Sequence, residues 1–231
     1  MKFGKVAALA LVAALIIPAA GNAAGPQARR NWNNTVAATP AGSHVLGNPA
    51  AQVKLVEFVS YTCPHCAHFE AQGESALRVG YIAPGKVSVE VRNYVRDPID
   101  LAAALLTHCG PPQGFFLRHT AFMRSQERWI GLFANPGQQQ RQRWQASDFK
   151  TRMRYIATDF GFYAIAASRG IDRASADRCL ADEAMARRLA TLTQAADQLG
   201  VSGTPSFLIN GDLLAGTHDW RTLELQLQAR F

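Results

Sequence analysis

The feature that most constrains this chain is a pair of cysteines, Cys63 and Cys66, that stand between a strand pattern and a helix pattern. Before them, alternating apolar and β-branched residues predict a strand over Val53–Ser60. After them, side chains recur at steps of three and four along one helical face: Cys66, Phe69, Gly73 and Leu77. Pro64 suits the first turn of a helix, where its missing N–H costs nothing. The Cys-Pro-His-Cys sequence is therefore predicted to begin a helix.

The rest of the chain predicts an α/β domain that is interrupted by helices. A second strand follows the turn at 84–86, and Asp97 is placed to cap a helix that starts at Pro98. Asn210-Gly211 predicts a hairpin, and Thr217 is placed to cap a last helix. Further helical patterns occupy Phe115–Arg124, Phe149–Ala167, Ala174–Leu180 and Met185–Leu199. The expected divisions are 51–96 and 183–231 for the α/β domain and 97–182 for the helical insertion.

The first 50 residues combine an export signal with an arm. A basic start, an apolar run that is short for a membrane span, and small residues up to Ala23 predict a secretory signal peptide over residues 1–23. An uncleaved anchor is the alternative. Residues 24–50 are rich in Ala, Gly, Asn and Pro, which predicts a flexible N-terminal arm. We expect the mature protein to be periplasmic.

The net charge argues against a nucleic-acid partner. Residues 1–23 contain two lysines and no acid, so the mature charge is +7 − 2 = +5. The densest basic stretch, residues 138–145, is predicted to be a solvated and poorly ordered loop. A modest charge on an exported chain gives no reason to expect nucleic-acid binding.

Four cysteines in an exported chain indicate an oxidising compartment and allow three pairings. A bridge between Cys63 and Cys66 closes a small loop and removes little unfolded-state entropy, whereas one between Cys109 and Cys179 would stabilise far more. We expect a structural Cys109–Cys179 disulfide. Two buried thiols or a regulatory pair are the alternatives.

Two chemistries compete for the paired cysteines. A structural zinc site needs four ligands in a tetrahedron, and His65 and His68 are the neighbouring candidates. His65 lies inside the tight turn and cannot easily point at the same ion, so we expect no metal. A redox pair needs no cofactor, because a sulfur at a helix N-terminus is stabilised as thiolate by unpaired N–H groups and the helix dipole.

The sequence EFVSYTCPHCAHFE resembles the DsbA family of thioredoxin-fold thiol–disulfide oxidoreductases, and the resemblance covers about residues 48–231. Glu57, six residues before Cys63, matches the buried acid of that superfamily. The block of helices matches the family's insertion. The segment VSGTPSFLING, residues 201–211, matches the stretch whose proline is cis and faces the cysteines. The implied fold is thioredoxin-like with an inserted α-helical domain.

The resemblance implies a role for each residue of the motif. Cys63 would be the exposed nucleophile and Cys66 the resolving cysteine, with Pro64 and His65 tuning their redox potential. Pro205 would be the cis proline, and the backbone of Thr204 would pair with an extended substrate. Glu57 would be buried and move protons for Cys66, the alternative being a solvent-facing strand residue. His68 and Glu70 are expected to face solvent.

The expected function is disulfide donation to reduced, unfolded exported proteins. The protein would act as a monomer, and a quinone-linked membrane partner like DsbB would reoxidise it. Strong DsbA-type oxidants commonly have valine before the cis proline, whereas this chain has Thr204, as the related isomerases and reductases do. A disulfide isomerase or reductase of the same fold is therefore an alternative. The short arm argues against a dimeric isomerase, and CPHC favours an oxidant. A redox-inert, chaperone-like module that holds unfolded chains or metal is a second alternative.

Overall fold

A six-stranded mixed sheet places the two cysteines at the end of its central strand. The computed structural model describes Met1 and residues 31–231, so the predicted signal peptide lies outside the described residues apart from Met1. The strands are β1 (Val36–Ala38), β2 (His44–Gly47), β3 (Val53–Val59), β4 (Val87–Asn93), β5 (Ser206–Ile209) and β6 (Asp212–Leu213). Their order is β1-β2-β4-β3-β5-β6, with β3 parallel to β4 and the other neighbours antiparallel.

Helices cover both faces of this sheet and form the insertion. They are α1 (Pro64–Leu77), α2 (Pro98–Thr107), α3 (Phe115–Arg124), α4 (Gln126–Ala134), α5 (Gln138–Trp144), α6 (Phe149–Asp159), α7 (Phe162–Ala167), α8 (Arg173–Leu180), α9 (Glu183–Gln198) and α10 (Trp220–Gln228). Within residues 31–231, each helix is too short or too polar to cross a bilayer. Helices α2 to α8 lie between β4 and α9, so the predicted thioredoxin-like fold with an inserted helical domain is confirmed.

The alternation along β3 sends its side chains to two cores. Val56 and Phe58 join Leu208 and the α9 side of the sheet. Leu55 and Val59 face the larger core, which includes α1, α10 and the insertion. Because both faces are covered, Glu57 in the middle of this strand is buried, whereas Lys54 near its start is exposed.

The start of α1 follows the local sequence. Pro64 is its first residue, and the predicted apolar face is buried in full: Cys66, Phe69, Gly73 and Leu77. Gly73 allows α10 to approach closely, because a Cβ there would lie 2.8 Å from the Trp220 ring. Asp97 also caps α2 as predicted, since its side chain accepts hydrogen bonds from the N–H groups of Ile99 and Asp100.

The predicted flexible arm is wrong for residues 36–47. Strand β2 pairs with β4, and Ser43, His44 and Leu46 are buried. The Ser43 hydroxyl also donates to Glu90 on β4, at 2.5 Å. Composition suggests a mobile segment because β1 pairs with β2, and the other partner of β2 lies more than 40 residues further along the chain.

Three local predictions in the helical regions and at the last helix are also wrong. Residues 138–144 form α5 rather than a loop, and Trp144 is held by a hydrogen bond to Asp159. The predicted helix over 149–167 breaks at Gly161, whose φ of +69° is left-handed. The last helix is capped by Asp219, which accepts from the N–H of Thr222, and not by Thr217.

A disulfide fastens the insertion. Cys109, just after α2, is bonded to Cys179 in α8, and the two cysteines have a sequence separation of 70. Both sulfurs lie in or against the larger core. The bond is the Cys109–Cys179 bridge expected from the sequence, and it leaves Cys63 and Cys66 as free thiols.

Replacing both cysteines, Cys109→Ala and Cys179→Ala, is expected to lower the free energy of unfolding by about 4 kcal/mol, because a loop of this length is no longer closed in the unfolded chain. Urea unfolding of the air-oxidised proteins measures the change. A Cys63→Ala/Cys66→Ala variant is the control, since its loop is too short to give a comparable loss. Equal midpoints for wild type and the Cys109/Cys179 variant would contradict a stabilising bridge.

Candidate active site

The cysteine pair occupies the N-terminus of α1. Cys63 is the N-cap, and its carbonyl accepts from the N–H groups of Cys66 at 3.2 Å and Ala67 at 3.3 Å. The two thiols are free in this structure. The Cys63 side chain therefore lies at the positive end of the helix dipole, where the first turn leaves N–H groups unpaired.

The Cys63 side chain is less accessible than expected. Cys63 is only 3% exposed and Cys66 1%, so the prediction of an exposed nucleophile is wrong for this reduced form. The Thr204 carbonyl lies over the first sulfur and accepts a hydrogen bond at 3.1 Å from Cys63 in its protonated thiol form. Pro64 and His65 are exposed and form the surface of the turn.

The strand pairing explains why Thr204 and Pro205 meet the cysteines. Antiparallel pairing sets Ser206 opposite Phe58, so the two residues before β5 run past the end of β3. The Thr204–Pro205 peptide bond is cis. His218 donates through Nδ1 to the Pro205 carbonyl at 2.8 Å, which holds this loop from the other side.

The two thiols differ in acidity. The pKa of Cys63 is lowered to about 5, chiefly because the Cys66 thiol donates a hydrogen bond to its sulfur. Burial acts against this effect, while the Thr204 side chain, the Cys66 N–H and the charge of Arg96 add to it. The pKa of Cys66 is raised by burial and by its hydrogen bond to Cys63. At neutral pH one sulfur is a thiolate and the other is a thiol.

Glu57 is buried, as predicted, in the core behind the cysteines. It lies on β3 between Val91 and Phe207 and is 5% exposed. Burial raises its pKa, and the nearby carboxyl of Glu70 raises it further. Both carboxyls line a cavity of about 30 Å³, which is enough for about one water molecule.

Glu70 is the main residue that the sequence prediction misplaced. It was expected to face solvent but is 5% exposed, and its Oε2 lies 3.7 Å from Nε2 of His119 on α3. Burial raises the pKa of Glu70 to about 7 and lowers that of His119 to about 3. Both shifts favour the neutral forms, so below about pH 7 the contact is a carboxylic acid facing a neutral imidazole rather than an ion pair.

The surrounding hydrogen bonds fix the tautomer of His119. Thr107 donates to the Ala104 carbonyl and accepts from the Tyr61 hydroxyl at 3.1 Å. Tyr61 must then accept from His119 Nδ1, at 2.9 Å, which leaves Nε2 as the acceptor that faces Glu70. One signal in the sequence could have revealed Glu70: it lies four residues after Cys66, on the same face of α1.

Gln126 ties the insertion to the cysteine turn. This residue begins α4 and is 2% exposed. Its side-chain NH₂ donates to the carbonyls of Tyr61, at 2.7 Å, and Cys63, at 2.9 Å. These two carbonyls flank the point where strand becomes helix, so a residue of the insertion determines how the turn is held.

Two open grooves flank the turn. One, of about 760 Å³, lies between α1, the Thr204 loop and the start of α10. The other, of about 850 Å³, lies between α1, the end of α3 and α4. His65 and His68 line both grooves. In the part of the chain that the structure describes, no group of three or more His, Cys, Asp or Glu side chains is arranged to hold a metal ion.

These features define a thioredoxin-fold protein with a paired-thiol site opposite a cis proline. The family model described as thioredoxin matches residues 39–229. A Rickettsia typhi protein that is named a protein-disulfide oxidoreductase is 30% identical over 169 residues, which is 72% of this chain and 54% of that protein. The chain thus spans about half the length of the curated relatives it matches.

Solved structures extend the comparison. A structure described as protein-disulfide isomerase from Novosphingobium aromaticivorans is 59% identical, with a TM-score of 0.78, and the match covers 81% of this chain and 96% of that one. Wolbachia pipientis alpha-DsbA1, at 23% identity and a TM-score of 0.63 over 80% and 88% of the two chains, shares the fold. The chain therefore belongs to the thioredoxin family.

The Glu70→Gln substitution is expected to change how stability depends on pH. The folded pKa of Glu70 is raised to about 7 from its ordinary value of 4.5, so wild type loses stability as pH rises through this window. As pH rises from 4.5 to 7, the free energy of unfolding of the variant should increase by about 3 kcal/mol relative to that of wild type. Above pH 7 the difference should stay constant.

Urea unfolding at a series of pH values measures this difference. Glu224→Gln on α10 is the control, and it should keep the pH dependence of wild type. A difference between Glu70→Gln and wild type that stays constant from pH 4.5 to pH 8 would show that the buried carboxyl titrates normally.

Proposed function

We propose that this protein is a periplasmic thiol–disulfide oxidoreductase that donates its Cys63–Cys66 disulfide to reduced, unfolded exported proteins. The observation that carries the proposal is the Cys63 sulfur at the N-terminus of α1, beneath the Thr204 carbonyl, with its pKa lowered to about 5. The name of the Rickettsia typhi relative supports the reaction class.

The reaction transfers two electrons in two exchanges. A substrate thiolate attacks Cys63 Sγ of the oxidised protein, the Cys63–Cys66 bond breaks, and the Cys66 sulfur takes the electron pair and a proton. A second substrate thiolate then attacks the substrate sulfur of the mixed disulfide and expels Cys63 as a thiolate. The substrate leaves with one disulfide, and the protein is left as the thiol–thiolate pair.

The other site residues would assist these steps. Glu57, a buried acid with a raised pKa, would supply the proton that Cys66 takes up. Thr204 and Pro205 would present backbone groups to an extended substrate next to its cysteine. Pro64 starts the helix, and His65, exposed beside both sulfurs, would tune the stability of the thiolate.

The acidity of Cys63 favours the oxidant direction. A stabilised thiolate lowers the free energy of the reduced protein, so the disulfide form tends to accept electrons. A quinone-linked membrane partner like DsbB would return the protein to the disulfide form, and no cofactor is required. We propose that the protein acts as a monomer.

An isomerase is the second candidate. The Novosphingobium aromaticivorans protein, at 59% identity, is described as protein-disulfide isomerase, and Thr204 before the cis proline matches the isomerase pattern. The two functions differ in the resting state of the cysteines. An oxidant is held oxidised in the periplasm, whereas an isomerase must be held reduced so that Cys63 can attack a wrong disulfide.

The Cys66→Ala variant is expected to accumulate mixed disulfides through Cys63, because the resolving sulfur is gone. Non-reducing gels of periplasmic extracts should show these complexes, and a reductant should dissolve them. The matched control is Cys63→Ala/Cys66→Ala, which should form none. Cys63→Ala alone should lose oxidation of a reduced model protein, and retained activity would favour a redox-inert binding module.

The direction of electron flow is tested by trapping the thiols of wild-type protein in cells with an alkylating agent. Mostly oxidised Cys63–Cys66 is the expected result. If the cysteines are mostly reduced and the protein also reshuffles the disulfides of a mispaired model protein, the isomerase function is favoured over the oxidant.

A further inference from the structure

A guanidinium group stands beside the cysteine turn and belongs to neither the CPHC motif nor the cis-proline loop. Arg96 lies between β4 and α2, and its side chain is exposed. Its Nε donates to the Ser60 hydroxyl at 3.0 Å, and one terminal nitrogen donates to the Thr62 hydroxyl at 3.3 Å. These residues form the turn that ends at Cys63, so the guanidinium is bound to the segment that carries the nucleophile.

The carboxylates nearby bind the hydroxyls and not the guanidinium. Ser60 donates to Asp100 at 2.6 Å, and Thr62 donates to Asp97 at 2.6 Å. Among the ion pairs of the described residues, none includes the Arg96 side chain. Burial raises the pKa of Asp100 to about 7, which reduces its negative charge near neutral pH. The positive charge of Arg96 is thus held in place but is not directly neutralised.

We propose that Arg96 is a positioning residue that stabilises the Cys63 thiolate by its charge, with Ser60 and Thr62 holding the guanidinium beside the turn. The electrostatic contribution of Arg96 to the acidity of Cys63 agrees with this role. Arginine suits the position because it stays charged at physiological pH and its guanidinium can donate hydrogen bonds to two hydroxyls at once.

The consequence concerns the redox balance of the proposed reaction, on which this inference rests. In the two-electron exchange, Cys63 leaves as a thiolate when the substrate disulfide forms. A cation that stabilises this thiolate favours the reduced protein and so makes the disulfide a stronger oxidant. Because Arg96 is solvent-exposed, salt should screen its effect, unlike the effect of the buried hydrogen bonds.

The test compares Arg96→Met, Arg96→Lys and Arg230→Met by thiolate absorbance during pH titration and by equilibrium with glutathione. Arg230 is the matched control, because its loss changes the net charge equally. Its carbonyl is bound by Gln52 just before β3, at the opposite end of that strand from Cys63.

Arg96→Met should raise the pKa of Cys63 by roughly half a unit. At equilibrium with glutathione, the ratio of disulfide to dithiol protein should rise about threefold, which corresponds to a reduction potential lower by about 14 mV. Arg96→Lys should fall between this variant and wild type, and Arg230→Met should match wild type. The difference between wild type and Arg96→Met should shrink in 1 M salt.

Two outcomes would overturn the inference. One is an unchanged pKa of Cys63 in folded Arg96→Met. The other is an equal rise in the methionine and lysine variants, which would mean that shape and not charge matters. If Arg96→Met does not fold, the salt dependence of the Cys63 pKa in wild type decides, and its absence refutes the role. Either refutation leaves the oxidoreductase intact, whereas a Cys63→Ala variant with full activity refutes the proposed function itself.

Discussion

The site depends on keeping a thiolate stable where water is almost absent. Burial alone would raise the pKa of Cys63, as it does for Cys66 one turn further along the helix. The difference between two cysteines of the same helix comes from position. Cys63 is the N-cap and receives hydrogen bonds, whereas Cys66 donates one and is deeper in the core. The strand-to-helix junction creates this asymmetry, and the remaining contacts hold the junction in place.

Those contacts come from three separate parts of the chain. Two helices of the insertion contribute: Gln126 of α4 donates to two carbonyls of the turn, and Asp100 of α2 accepts from the N–H of Tyr61 and the Ser60 hydroxyl. The loop before β5 adds the Thr204 carbonyl. The bonds from Gln126 and Asp100 do not involve the Cys63 thiol, so they would keep the turn fixed through the proposed exchange and limit its loss of entropy. The helical insertion is therefore a part of the site and not only an addition to the fold.

Features that depend on neighbouring residues or on residue chemistry could be predicted from the sequence. The β3–α1 junction, the Asp97 cap, the burial of Glu57 and the Cys109–Cys179 bridge were all predicted and confirmed. The sequence was not sufficient where the partner is distant. Short strand β2 is defined by its pairing with β4, and β1 by its pairing with β2, and no periodicity over three or four residues can reveal that. Arg96 was not recognised for a similar reason, because its partners lie more than 30 residues earlier in the chain.

The buried acids raise a question about protons that the cysteines alone do not answer. In the proposed exchange, Cys66 gains a proton when the disulfide is reduced, and the buried carboxyls of Glu57 and Glu70 both have raised pKa values. Two neighbouring carboxylates cannot both be charged there at low cost, so one of them holds a proton near neutral pH. The cavity they share lies behind α1, next to His119, whose free nitrogen faces Glu70. The same burial that makes the acids costly to ionise thus keeps a proton on one of the two carboxyls, which the proposed proton transfer to Cys66 requires.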